Sequence, residues 1–408
     1  MDTRVLALAV YVSGSLGLAN MSMMNPLVPL WAARMGFSHG EIGVLIAAGA
    51  LLPALLSVPA GAICDRWGAQ RVMLLAGLGT AMTSVAYPFI SEVMLFFWLQ
   101  LVGGLFRNTG WLAAQAYVTQ LGRQGNLTRQ VGYFSFATNI GTMVGPWAVG
   151  SVADVAGFLP AFAVVGLSGA VLGLIGLFLP AAAGTTPGSP GAGGSWKQAF
   201  SLKDYLDGFR LLVYRGIQFV ILASFFRLFL VGFVQSFYPV FLETRGFSPA
   251  EIGFLLSLAS AVSVTTSALV IKLSAWVSKE NLLILALVAG IFGLGSTPWW
   301  QSLVSYAGAI AFYGLCLGLT LPLLIDLLAA YTRPEQRGLI VGVRTTINGV
   351  AGMVSPLCLG LMAASLGLSL AFQVVGLAAG LALAGLYFYG RAHYGRRNWA
   401  PLTTDPPL

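Results

Sequence analysis

The stretch MGFSHGEIGVL, Met35 to Leu45, returns as RGFSPAEIGFL, Arg245 to Leu255, at a spacing of 246 − 36 = 210 residues in a chain of 408. Each copy spells S-x-x-E ahead of a long apolar run, with Ser38 and Glu41 in the first and Ser248 and Glu251 in the second. This is a capping box: the serine accepts from an amide of the first turn, and the glutamate reaches back to the N–H of the cap. Pro249 at the first helical position reinforces the second start. The same offset carries Pro29 onto Pro239, Gly132 onto Gly342, Pro146 onto Pro356 and Gly150 onto Gly360. Coincidences at one offset on this scale predict a duplicated six-helix half.

The composition around the repeat says where those helices reside. Hydrophobic residues make up 57% of the chain and charged residues 8%, where a soluble domain carries roughly 25% charged residues. Polar residues recur at intervals that leave apolar stretches of the roughly 18 to 20 residues a helix needs to cross a bilayer. The runs are too long for barrel strands and show no alternation of period two. The pattern predicts an all-α membrane protein with twelve transmembrane helices, at about 5–32, 41–63, 71–90, 93–119, 130–153, 159–180, 213–243, 250–274, 281–300, 303–330, 337–363 and 368–390. The first span is too long for a secretory signal and is expected to remain as a helix. The expected organisation is an N-terminal bundle over 1–180, a cytoplasmic linker over 181–212, a C-terminal bundle over 213–394 and a cytoplasmic tail over 395–408. An even number of crossings per half makes the repeats parallel in the membrane, which is the architecture of alternating-access transporters.

Orientation follows from the basic residues. With the N-terminus inside, sixteen of the 21 Lys and Arg residues fall in cytoplasmic segments, Arg34 and Arg245 fall outside, and Arg107, Arg227 and Arg344 lie within spans, so that 16 + 2 + 3 = 21. That bias places both termini in the cytoplasm. The net charge of +8 is therefore topological, and a nucleic-acid partner is not expected. Cys64, Cys316 and Cys358 show no metal-ligand spacing, and His39 and His393 are the only histidines, so no metal, cofactor or intramembrane enzyme chemistry is expected. Between the halves, Ala181 to Ser195 reads as a flexible linker. Trp196 to Arg210 then spaces Phe200, Leu202, Tyr205, Leu206 and Phe209 as an amphipathic helix on the inner leaflet.

The second span ends in GAICDRWGAQR, Gly61 to Arg71. This resembles the signature loop of the major facilitator superfamily, with Gly61, Asp65, Arg66, Gly68 and Arg71 in place and Gln70 at a usually basic position. Gly61 is expected to admit a neighbouring helix and Gly68 to permit the tight turn. The resemblance implies that Asp65 organises a cytoplasmic gate against the start of the eleventh span, whose N-terminus suits a carboxylate. The fifth span carries GYFSFATNIGTMVGPWAVG, Gly132 to Gly150, which is similar to the superfamily's antiporter motif at Gly132, Gly141, Gly145, Pro146 and Gly150, with Val149 replacing a glycine. Such a face is expected to allow close packing across the domain interface, and Pro146 to bend the helix. Arg107, in GGLFRNTGWLAA, is similar to a further element of the family, with Gly110 one residue early. The resemblance runs from Arg4 to about Tyr394 and implies the major facilitator fold and an efflux proton antiporter, monomeric, in a bacterial inner membrane. Import of an organic anion, by symport or uniport, stays open beside it, as does a transporter-like sensor or scaffold.

Charges inside the spans mark the candidate site, because each costs ~2.5–3.5 kcal/mol at bilayer depth unless paired or hydrated. Arg107, Arg227 and Arg344 stand against one aspartate, Asp326, expected to pair with Arg344 or Arg333. The excess of cations favours a small-molecule substrate with an acidic group. The first span offers only Asn20 and Asn25 as polar coupling groups, and the fourth offers Gln115 and Tyr117. A coupling proton would then rest on Asp326 or Asp65. Phe225, Phe226, Phe229, Phe233, Phe237 and Tyr238 crowd the span around Arg227, most of them as lipid or helix contacts and a few as an apolar binding wall. Asp65→Asn removes the gating charge without a change of volume. The variant is expected to express normally and to lose most flux in reconstituted vesicles; unchanged flux removes the gating role.

Overall fold

The computed structural model describes residues 3–122, 127–180, 209–333 and 336–393. Of the expected linker over 181–212 only residues 209–212 are among them, so Ala181 to Ser195, all but the last two residues of the expected amphipathic helix, and the C-terminal tail lie outside them. The N-terminal half comprises α1 (Thr3–Arg34), α2 (His39–Trp67), α3 (Ala69–Ala86), α4 (Val93–Gly122), α5 (Leu127–Ala156) and α6 (Phe158–Phe178). The C-terminal half comprises α7 (Arg215–Ser236), the short α8 (Tyr238–Thr244), α9 (Pro249–Leu273), α10 (Lys279–Gly295), α11 (Leu303–Ala330), α12 (Arg337–Leu366) and α13 (Leu368–His393).

The 210-residue offset holds at every helix start after the first. It separates α9 from α2 (249 − 39), α10 from α3 (279 − 69), α11 from α4 (303 − 93), α12 from α5 (337 − 127) and α13 from α6 (368 − 158). The turns repeat as well. Gly36 and Gly246 have φ of 81° and 86°, and Gly157 and Gly367 have φ of 90° and 78°, a backbone conformation that side chains beyond glycine rarely adopt. Both copies of the quoted phrase form their capping boxes. The Ser38 and Ser248 amides donate to Glu41 and Glu251 at 2.7 and 2.9 Å, and the Glu41 and Glu251 amides donate to the two serine hydroxyls at 3.3 Å.

Two features differ from the expectation. The seventh span is not continuous: α7 stops at Ser236 and α8 starts at Tyr238, because Pro239 has no N–H to donate and its ring crowds the preceding turn. Ten of the stretches are long and apolar enough to cross a membrane among the described residues, and α4 and α5 are not among the ten. Gln100, Arg107, Asn108 and Gln115 dilute α4, and Gln130, Ser135, Asn139 and Thr142 dilute α5.

The chain divides into two compact units, one of α1–α6 with Pro239–Ser257, the other of α7 and the helices from Leu258 onward. Inside each unit, helices meet backbone to backbone at small residues. A Cβ built on Gly104 of α4 falls 2.1 Å from the carbonyl oxygen of Gly49 on α2; one built on Gly314 of α11 falls 2.5 Å from that of Ala259 on α9. The second contact is the first displaced by 210 residues. On α3, a Cβ at Gly77 falls 2.4 Å from the backbone nitrogen of Gly173 on α6. Such approaches replace the hydrophobic drive that lipid withholds from helix association.

Gly132 has open space where its Cβ would stand. Gly132→Ala is therefore expected to be neutral or to stabilise by up to ~1 kcal/mol through helix propensity, whereas Gly104→Ala should lower stability by ~1–3 kcal/mol through overpacking. Thermal unfolding of the purified variants in detergent checks the contrast.

Candidate functional site

The signature loop has the turn expected of it. Gly68 ends α2 at φ 88°, with its amide on the Cys64 carbonyl at 3.1 Å. Gln70, at the usually basic position, is buried beneath that turn, and a Cβ at Gly68 would stand 2.8 Å from its amide group. Arg66 and Arg71 are exposed. Asp65 belongs to α2 by its backbone, and its side chain lies outside the described residues. Gly61 does not serve the role expected of it, since no described atom lies within 4 Å of its Cβ position.

The glycine face of α5 divides between two neighbours: its later part meets a helix of the C-terminal half, as expected of the motif, and its middle does not. Gly141 and Gly145 pack on α1 of their own unit, their Cβ positions 2.3 Å from the Ser15 carbonyl and 2.9 Å from the Ser22 hydroxyl. Gly150 meets the start of α9, 2.3 Å from the Pro249 carbonyl. Pro146 lies inside α5, which runs through it, and its carbonyl stands 2.3 Å from the Cβ position of Gly253. Sequence spacing identifies the face but not the neighbour, and Gly132 has none.

Several polar candidates are spent on packing. Asn20 accepts from the Ser168 hydroxyl, tying α1 to α6, and Tyr117 donates to the Pro180 carbonyl at 2.9 Å, closing α4 on the end of α6. Gln115 is exposed and Asn25 is half-buried. Asp326 corrects a second expectation: the pairing foreseen with Arg344 or Arg333 is taken by Lys279 of α10 at 2.6 Å, and the aspartate remains half-exposed. It is no buried counter-ion. Phe233, Phe237 and Tyr238 are core residues, while Phe225, Phe226 and Phe229 stay half-buried, with Phe225 stacked on Phe229 at 6.2 Å; two residues either side of Arg227 on one helix, Phe225 and Phe229 share the face opposite to it.

The three arginines form two separate clusters. Arg107 is 8% exposed, inside the first unit, and its Nη2 donates to Gln100 Oε1 at 3.1 Å. The Tyr87 hydroxyl donates to the same oxygen at 2.5 Å. Gly103 makes room for the guanidinium, since a Cβ there would stand 2.9 Å from Nη1, and that nitrogen has no partner. Arg107 is thus enclosed by neutral groups.

Arg227 of α7 belongs to a polar cluster in the second unit. Its Nε donates to the Thr320 hydroxyl of α11 at 3.0 Å. One turn earlier on α7, Ser224 donates to Asn348 of α12 at 2.8 Å. Asn348 stands one turn beyond Arg344, whose buried Nε has no partner and whose charge is repelled by that of Arg227. Among the described residues neither arginine has a carboxylate partner.

The repeat shows what stands at the same places in the first half. At the 210-residue offset Ser224, Arg227, Thr320 and Arg344 stand where the first half has Gly14, Gly17, Gly110 and Phe134. Those four form an apolar contact: the Phe134 ring fills the space beside Gly14, and Gly17 lies against Trp111 and the Gly110 carbonyl. One frame therefore holds a glycine-lined packing surface in one half and a cationic cluster in the other. The converse substitution occurs too, with Leu317 and Ile310 at the places of Arg107 and Gln100. Thr320, Ser224, Asn348 and Gln100 were not singled out from sequence; an offset comparison that looked for polar-for-glycine replacements, instead of identities, would have found the first two.

A 210-residue helical repeat, ten helices long and apolar enough to cross a membrane among the described residues, and backbone contacts between small residues are the features of a multi-pass membrane protein. The Major Facilitator Superfamily description matches residues 10–326, and the chain belongs to that family. It is 22% identical over 342 residues to Multidrug resistance protein 2 of Bacillus subtilis (strain 168), covering 82% of this chain and 83% of that protein. It is 22% identical over 330 residues to Tetracycline resistance protein, class B, of Escherichia coli, covering 77% of each. Among solved structures, the nucleoside transporter NupG superposes with a TM-score of 0.79 at 15% identity, over 97% of this chain and all of that one.

Gly145→Val adds bulk against Ser22 and the flexible Met23 side chain, which can yield without unfolding the bundle. The variant is expected to insert and purify normally and to lose turnover in a vesicle flux assay. Normal flux would show that α5 and α1 need no further freedom to move.

Proposed function

We propose that the chain exports small amphipathic molecules bearing an acidic group, by alternating access and in exchange for protons, across a bacterial inner membrane. The observation that carries this reading is the pair Arg227 and Arg344 in one polar cluster without a carboxylate partner among the described residues. A cation at that depth needs water or an anion to complete its shell, and guanidinium is suited to a planar carboxylate. Export is supported by the antiporter-like motif of α5 and by relatives whose names record multidrug and tetracycline resistance. With Asp326 held at the surface by Lys279, Asp65 is the remaining acidic candidate for coupling a proton.

Import of an organic anion is the second reading, favoured by the same two arginines. Uptake into inside-out vesicles with and without a proton gradient separates the two. Accumulation of an aromatic carboxylate that collapses with the gradient supports export; accumulation only in right-side-out vesicles supports import.

Arg227→Lys keeps the charge and loses the planar fork, and Arg227→Gln loses both. The expected order of affinity for the anionic substrate is Arg, then Lys, then Gln, with about a ten- to hundred-fold loss for Gln, the worth of a hydrogen bond to a charged group. Equal affinity in all three proteins, measured by equilibrium binding in detergent, makes Arg227 a packing residue and removes the anion reading.

A further inference from the structure

A pocket of about 260 Å³ opens in the second unit where the start of α10 meets the end of α13 and the first turns of α7. Its lining includes a carboxylate and a guanidinium, Glu280 and Arg391. The two are not paired with each other. Glu280 accepts from the Tyr331 hydroxyl through Oε1, which leaves its second oxygen for another donor. Arg391 is exposed and lies over the Tyr387 ring at 5.5 Å from the centroid. A guanidinium in that position has its hydrogen-bonding edge open. The floor is apolar, made by Phe219, Ile284 and the Tyr387 ring, and Gly390 keeps it open, since a Cβ there would stand 3.1 Å from the Phe219 ring.

Opposite charges that share a cavity without meeting are complementary to one ligand carrying both signs at a fixed separation. We propose that this pocket binds the head group of a membrane phospholipid of the ethanolamine type, its phosphate on Arg391 and its primary ammonium on Glu280. Three features select a lipid over a soluble zwitterion. The pocket sits at helix ends carrying Arg215, Lys279 and Arg391, where basic residues meet head groups at a membrane surface. Its floor is apolar. Beyond it the outward faces of α10 and α13 expose Leu285, Val288, Phe388 and Leu381, a surface on which acyl chains can lie. A purely anionic head group would meet the Glu280 carboxylate, and a trimethylated one would bring no N–H to it.

The site stands apart from the Arg227 cluster, and its test uses no transport. Delipidated protein in detergent is titrated with phosphatidylethanolamine, phosphatidylglycerol and phosphatidylcholine of identical chains, and bound lipid is counted by native mass spectrometry. Phosphatidylethanolamine is expected to bind about three- to five-fold more tightly than the other two, the range of a half-exposed ion pair. Glu280→Gln keeps an acceptor for Tyr331 and should abolish that preference; Arg391→Gln, at an exposed helix end, should weaken all three lipids. Equal binding of the three by the unsubstituted protein overturns the proposal, as does a preference that survives both substitutions. Displacement of the lipid by an equal concentration of glycerophosphoethanolamine overturns its assignment to a lipid.

Discussion

Everything in this protein depends on how closely its helices can approach. Lipid tails are as apolar as leucine, so burying leucine gains little, and association rests on van der Waals contact between backbones. Gly104 against Gly49 and Gly314 against Ala259 are the same solution in the two halves. A side chain larger than hydrogen at Gly104 or Gly314 would force the paired helices apart, and with them the elements that hold the arginine clusters. The capped helix starts and left-handed glycines recur at the same offset for the same reason: they set the angle at which each helix leaves its turn and reaches its contact.

On that shared frame the two halves carry different chemistry. The first encloses Arg107 beside Gln100, which accepts from both the guanidinium and the Tyr87 hydroxyl, so that neutral groups hold the charge without cancelling it. The second has Ser224, Arg227, Thr320 and Arg344 where the first has a glycine-lined contact. Glycine-to-arginine replacement at a helix contact would ordinarily be ruinous, because the side chain must be accommodated and its charge satisfied. Thr320 answers part of the demand for hydrogen bonds. The counter-charge is not supplied by the described protein groups, which is the physical ground for assigning it to a ligand.

Much of the fold was legible in the sequence because repetition and hydropathy are one-dimensional signals. The capping boxes, the left-handed Gly68 and the 210-residue offset all needed only spacing. What spacing does not report is which neighbour a helix face meets. Gly61 and Gly132 belong to motifs yet stand in open space, while Gly104, in no motif, makes one of the tightest contacts. Asn20 and Tyr117 read as coupling groups from composition and are tied to α6 and Pro180. Asp326 was assigned a buried partner by its position along the helix, and the helix turns it outward to Lys279. The Pro239 break was foreshadowed by the residue itself; Pro29, its counterpart, lies inside a continuous α1, so proline alone does not decide the matter.

The central claim is that a substrate anion completes the charge of Arg227 and Arg344 together. A double-substitution cycle tests it most directly: equilibrium binding of 2-naphthoate and of the neutral 2-naphthamide to the unsubstituted protein, Arg227→Gln, Arg344→Gln and the double variant. The acid is expected to be preferred over the amide, either substitution to erode the preference, and the two effects to be non-additive, as for groups sharing one partner. Full preference for the acid in the double variant would contradict it.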